Sequence, residues 1–132
     1  MKFTCSISRH RIYNARALDD VLLAQGTYFF ITGVWPLLSL RSFLKVTGPK
    51  RDVWLVKTVA VLVAAIGSVM AQAGLHQRVE RNTINLAKRS AAVLAAIDTW
   101  FVLRKVIPPI YLADALIEAG FIGIIRSLEQ RQ

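Results

Sequence analysis

Three carboxylates, Asp98, Asp114 and Glu118, stand inside otherwise apolar stretches of this 132-residue chain. An acid in such a setting pairs with a cation, takes up a proton, or binds a ligand that supplies the missing charge. Asp98 lies six residues before Arg104, and Asp114 follows the Pro108-Pro109 pair at a similar interval. At a helical rise of 1.5 Å per residue, both acids sit about 9 Å in from the same edge of their stretches. Lys57, in the first turns of the second apolar stretch, and Arg41, at the end of the first, belong to that edge too. Tyr111, Asp114 and Glu118 recur at helical spacing and form a single stripe, with Glu118 one turn deeper. Tyr28, Thr32 and Gln72 are polar side chains of the first two stretches that can reach this group by hydrogen bonds.

Two readings follow. In the structural one, Arg41 and Lys57 pair with Asp98 and Asp114 and tie four helices together, because unpaired charges are costly in an apolar setting. In the functional one, the group is a proton or cation path, or a polar ligand pocket. Glu118 is the better functional residue: it has no basic partner at its depth, where a neutral acid is carried more cheaply than a lone anion. Other chemistry is poorly supplied. There is no Ser-His-Asp grouping, no cysteine pair and no glycine-rich phosphate loop. Cys5 is the only cysteine, and His10 and His76 both fall outside the apolar stretches, so neither a metal-ligand spacing nor an internal haem ligand is present. The expectation is a protein without cofactor or metal, and not an enzyme.

The elements that must position these residues are four apolar stretches, at about 21–43, 53–75, 84–103 and 107–125. Each is close to the roughly 20 residues an α-helix needs to cross a hydrocarbon core. Hydrophobic residues make up 55% of the chain and mean hydropathy is +0.45. Val53–Leu75 has only Lys57, Thr58, Ser68 and Gln72 as polar members, whereas a soluble surface helix carries a whole charged face. The expected fold is all-α: one domain, residues 1–132, forming an antiparallel four-helix transmembrane bundle. Asp19 and Asp20 are placed to cap the first span, Pro36 to kink it, Asp52 to cap the second, and Asn82 or Thr83 the third. Lys88 and Arg89 intrude on the third span and must snorkel to its edge. Pro108 and Pro109 suit the first turn of the fourth span, which is followed by a short polar tail after Ile125. Ala60, Ala64, Gly67, Ala71 and Gly74 form a ridge of small residues that lets a second helix approach closely.

Residues 1–20 form a basic N-terminal segment, either an amphipathic surface helix or a solvated end. It contains no apolar run of signal-peptide type, so the first span is expected to act as an uncleaved insertion signal. The net charge of +9 clusters at segment ends, as in loops that touch anionic lipid headgroups. A nucleic-acid partner is not expected, since no recognition element accompanies the charge. The N-terminal segment, second loop and tail hold ten Lys and Arg residues and the opposite side six, which places both termini in the cytoplasm by the positive-inside rule.

The runs Tyr28-Phe29, Thr32-Gly33, Trp35-Pro36-Leu37-Leu38, Ser42-Phe43, Val46-Thr47-Gly48-Pro49-Lys50, Asp52 and Trp54-Leu55-Val56 resemble a family of small bacterial four-span integral membrane proteins. Tyr111-Leu112-Ala113-Asp114-Ala115, with Glu118, is similar to that family's last span. The resemblance implies a multi-pass inner-membrane protein and lends no activity. Four-span drug exporters carry a glutamate in the first span, which has no counterpart here. The leading functional expectation is an accessory or structural subunit packing against a second copy or a larger membrane complex. The alternative is a proton-coupled small transporter or channel using the intramembrane carboxylates.

Overall fold

The computed structural model describes the backbone of residues 2–131 and the side chains of residues 15–131. It is all-α: α1 (Lys2–Leu38), α2 (Leu40–Thr47), α3 (Val53–Leu75), α4 (Arg81–Leu103) and α5 (Ile110–Gln130), with no strand among the described residues. Residues 15–38 of α1 and the whole of α3 are long and apolar enough to cross a membrane. The helices α4 and α5 are close to them in length but carry charges, Lys88, Arg89 and Asp98 on one, Asp114, Glu118 and Arg126 on the other.

The helices form two pairs. Along α1 and α3 the backbones come almost into contact, because the small-residue ridge of α3 faces Gly26 and Gly33 of α1. A β-carbon on Gly67 would stand 2.5 Å from the Phe30 amide nitrogen and 2.6 Å from the Gly26 carbonyl oxygen, and one on Gly33 would stand 2.6 Å from the Ala60 carbonyl oxygen. The ridge is therefore used within the chain, in the manner of small-residue packing between membrane helices. The second pair is α4 with α5. Across the pairs α1 touches α5 and α4 more sparsely, and α3 and α5 do not pack on each other at all. Leu18, Leu22, Phe29, Met70, Ala87 and Ile125 form the buried core towards the end of the molecule where α1 enters the bundle.

Several local expectations are corrected. The helix of α1 runs unbroken through Asp19 and Asp20, so neither caps it; no residue between them and Lys2 breaks a helix, and Leu18 and Leu22 continue the buried face. The Asp19 carboxylate instead faces the Val79 backbone N–H in the turn between α3 and α4. Side chains of residues 1–14, and with them the surface-segment expectation, lie outside the described residues. The expected first span of 21–43 is two helices. The chain leaves helical geometry at Ser39 (φ −144°, ψ 82°), just beyond the turn that contains Pro36, and α2 folds back. The Trp35 indole N–H donates to Ser42 Oγ at 2.8 Å and its ring meets Phe43 edge-on, which holds that fold. Asp52 stands at the N-cap of α3 as expected, while Glu80, not Asn82 or Thr83, stands at that of α4; neither makes a side-chain capping bond. Lys88 does not reach outward alone: its ammonium pairs with Glu129 at 2.7 Å, and α5 continues past Ile125 to Gln130 where a short polar tail was expected.

Both α3 and α4 end in the same way. Gln77 and Lys105 take left-handed backbone angles (φ 53° and 58°), and the N–H of the following residue, Arg78 or Val106, reaches back to the carbonyl of Ala73 or Phe101 at 2.9 Å. This closing pattern satisfies helix-end carbonyls and usually has glycine at the left-handed position.

Candidate functional site

Between the two helix pairs lies a cavity of about 580 Å³. It exists because α3 and α5 fail to meet: Val56, Val59 and Val63 of α3 look across it at Ile110, Ala113 and Ile117 of α5. One side is walled by α1 through Tyr28, Thr32 and Trp35, and α2 closes it from above with Phe43 and Thr47. Most of the lining is apolar or aromatic. The exception is one wall, where α4 and α5 deliver all three acids.

Asp114 receives a hydrogen bond from the Tyr28 hydroxyl. The Asp98 carboxyl lies within hydrogen-bonding reach of the Asp114 carboxyl. Two carboxyl groups that share a hydrogen bond need a proton between them, since an ionised carboxylate only accepts. Glu118, one turn along α5, is 1% exposed, and its Oε2 has no hydrogen-bond partner among the described residues. Tyr111 completes the stripe, with its hydroxyl within reach of Thr47. Thr32 lines the cavity and spends its hydroxyl on the Tyr28 carbonyl of its own helix at 2.8 Å.

The cations expected beside these acids are elsewhere. Arg41 and Lys57 are exposed and do not line the cavity, and among the described residues the ion pair within 4 Å is Lys88–Glu129. The reason lies in the helix faces. Lys57 points away from α1 while its neighbours Val56 and Ala60 point inward, and the break at Ser39 places Arg41 on the outer face of α2. Gln72 is also exposed, away from the acids. The structure therefore brings together Asp98, Asp114, Glu118, Tyr28, Tyr111 and Thr32, and leaves out Arg41, Lys57 and Gln72.

One residue of the cavity was not among those expected. Lys50 is the amine that lines the cavity. Its ammonium donates to the Thr47 carbonyl at 3.0 Å and sits over the Tyr111 ring, 4.9 Å from the centroid. Partial burial lowers its pKa from the ordinary lysine value. The signal was the Gly48-Pro49 turn before it: Gly48 has φ +82°, and a β-carbon there would stand 3.0 Å from Pro108 Cγ, so the loop is drawn in against the start of α5. The loop between α2 and α3 thus supplies part of the cavity mouth.

Among the described residues no group of three ligating side chains is arranged to hold a metal ion. Compared with protein-family models, curated proteins and solved structures, the chain matches none.

Proposed function

We propose that this chain is a multi-pass inner-membrane protein of four antiparallel spans, both termini cytoplasmic, that works as a proton-linked carrier through Asp98, Asp114 and Glu118. The observation that carries this reading is the uncompensated acid wall: three carboxyl groups meet in a largely apolar cavity with no cation within ion-pairing distance among the described residues. Buried charges of one sign without partners are stable only when protonated or ligand-bound. An acid that must exchange its proton for something else is the basic part of a proton-linked carrier. Four spans are supported by the lengths of α4 and α5, 23 and 21 residues, and by the placement of Asp98, Asp114 and Glu118 on the cavity wall. Cys5, the one cysteine, tests the orientation: a membrane-impermeant maleimide should label it only after the cell membrane is opened.

Proton occupancy is tested by infrared difference spectroscopy on the protein in lipid. A protonated-carboxyl band should be present at neutral pH and titrate away as the medium becomes alkaline. Glu118→Gln should remove part of it and Asp98→Asn another part. If every carboxyl is ionised at neutral pH, the proton-linked reading fails.

The accessory-subunit reading retains in its favour the outward apolar face of α3, where Trp54, Leu62 and Val69 are exposed. A lipid-facing helix shows the same face, so only co-purification with a stable larger partner would favour it.

A further inference from the structure

Resting on that carrier reading, we infer that the ligand exchanged for protons is a lipophilic organic monocation that enters sideways between α3 and α5. Three independent features meet in this. The first is shape: the gap between α3 and α5 is lined by Val56, Val59, Ile110 and Ile117, so the route into the cavity runs through apolar side chains. An inorganic ion would lose its hydration there without replacement. The second is an unsatisfied anchor. Glu118 lines the cavity, is 1% exposed, and its Oε2 has no hydrogen-bond partner among the described residues, so the wall holds an acceptor that none of them fills. The third is the character of the remaining walls. Tyr28, Phe29, Trp35, Phe43 and Tyr111 offer aromatic surface, which attracts cations through ring faces and packs against apolar bodies.

Charge decides between a cation and other lipophilic guests. The groups facing the acids are few from every element. Among the described residues, α1 contributes Tyr28, α4 Asp98, α5 Tyr111, Asp114 and Glu118, α3 no titratable side chain, and the loop after α2 Lys50 alone. Lys50 is engaged by the Thr47 carbonyl and the Tyr111 ring. An anionic guest would meet three acids, and a neutral one would leave the acids to their protons. A single positive charge on an apolar body fits the set, with the released proton keeping the wall neutral.

The test uses two ions of the same shape and opposite charge, tetraphenylphosphonium and tetraphenylborate, titrated calorimetrically into the full chain in nanodiscs. The phosphonium should bind and the borate should not. With one proton displaced per cation, phosphonium affinity should fall about tenfold per pH unit on the acid side of the transition. Asp114→Asn and Glu118→Gln should each weaken binding and flatten this dependence, whereas Asp114→Glu, which keeps the charge, should retain both. Equal binding of the two ions, or phosphonium binding that ignores pH and the Asn and Gln variants, would overturn the inference. No phosphonium binding in a protein whose carboxyl band still titrates would overturn the ligand class and leave the proton reading standing. Loss of both would remove the reading beneath it.

Discussion

Gly67→Ala should unfold the protein at markedly lower temperature in detergent, with a cost of about 3 kcal/mol, the upper end of what overpacking incurs. The added methyl group would lie 2.5 Å from the Phe30 nitrogen and 2.6 Å from the Gly26 carbonyl oxygen. Both are backbone atoms in the middle of helices, so neither can swing aside as a side chain would. The only relief is to push α1 and α3 apart along the most extensive contact in the molecule. Gly120 provides the contrast. It lies in the interior of α5, where an added β-carbon would meet nothing within 4 Å, so Gly120→Ala should stabilise by up to about 1 kcal/mol through helix propensity. Thermal melts of the two variants should move in opposite directions. Matching losses would mean that α1 and α3 are not in backbone contact.

Asp114→Ala should be the most damaging change in the cavity wall, and Asp114→Asn should be nearly harmless to stability. Alanine leaves the Tyr28 hydroxyl without its acceptor and Asp98, 8% exposed, without its carboxyl neighbour. A buried polar group stripped of its partner costs about 1–3 kcal/mol. Asparagine keeps an oxygen for Tyr28 and offers an N–H to Asp98 in place of the shared proton. Lys57→Met should alter neither result, since Lys57 is exposed and off the cavity. The measurement is the detergent melting temperature of each variant, and of each Asp114 variant combined with Lys57→Met. An Asn variant as unstable as the Ala variant would rule out the shared-proton arrangement. Rescue of either by Lys57→Met would restore the ion pair that the structure does not contain.

The placement of Lys57 shows where sequence reasoning ran out. Depth along each stretch was legible, because 1.5 Å per residue needs no knowledge of neighbours. It placed Asp98 and Asp114 together, and they are within hydrogen-bonding reach. Facing direction was legible only within one helix, as in the Tyr111, Asp114 and Glu118 stripe, which lines the cavity intact. Which face of α3 meets α1 depends on the backbone approach at Gly26, Gly33 and Gly67, and that approach turns Lys57 outward. The ridge of small residues contained the information, since a helix packed on its Ala60 and Gly67 face cannot also aim Lys57 inward. The two C-terminal helices were placed to within a few residues at most ends, but the break at Ser39 was not seen. Pro36 marks a weak point without stating whether the chain bends or folds back; the Trp35–Ser42 bond that decides it joins side chains seven positions apart.

The unequal pairing of the helices also bears on how the chain is assembled during synthesis. α1 and α3 emerge first, are long and apolar enough to cross a bilayer, and close on each other through backbone contact at the glycines and through Leu22, Phe29 and Met70. α4 and α5 follow with acids that lipid would reject. By then α1 already displays Gln25, whose amide donates to the Ala87 carbonyl at 3.1 Å, and Tyr28, whose hydroxyl donates to Asp114. If α4 and α5 are spans as proposed, the early pair is the scaffold that makes the late one admissible. On the proposed four-span reading, a lesion at Gly67 is expected to show not only as a lower melting temperature but as a smaller fraction of newly made chains whose second half inserts.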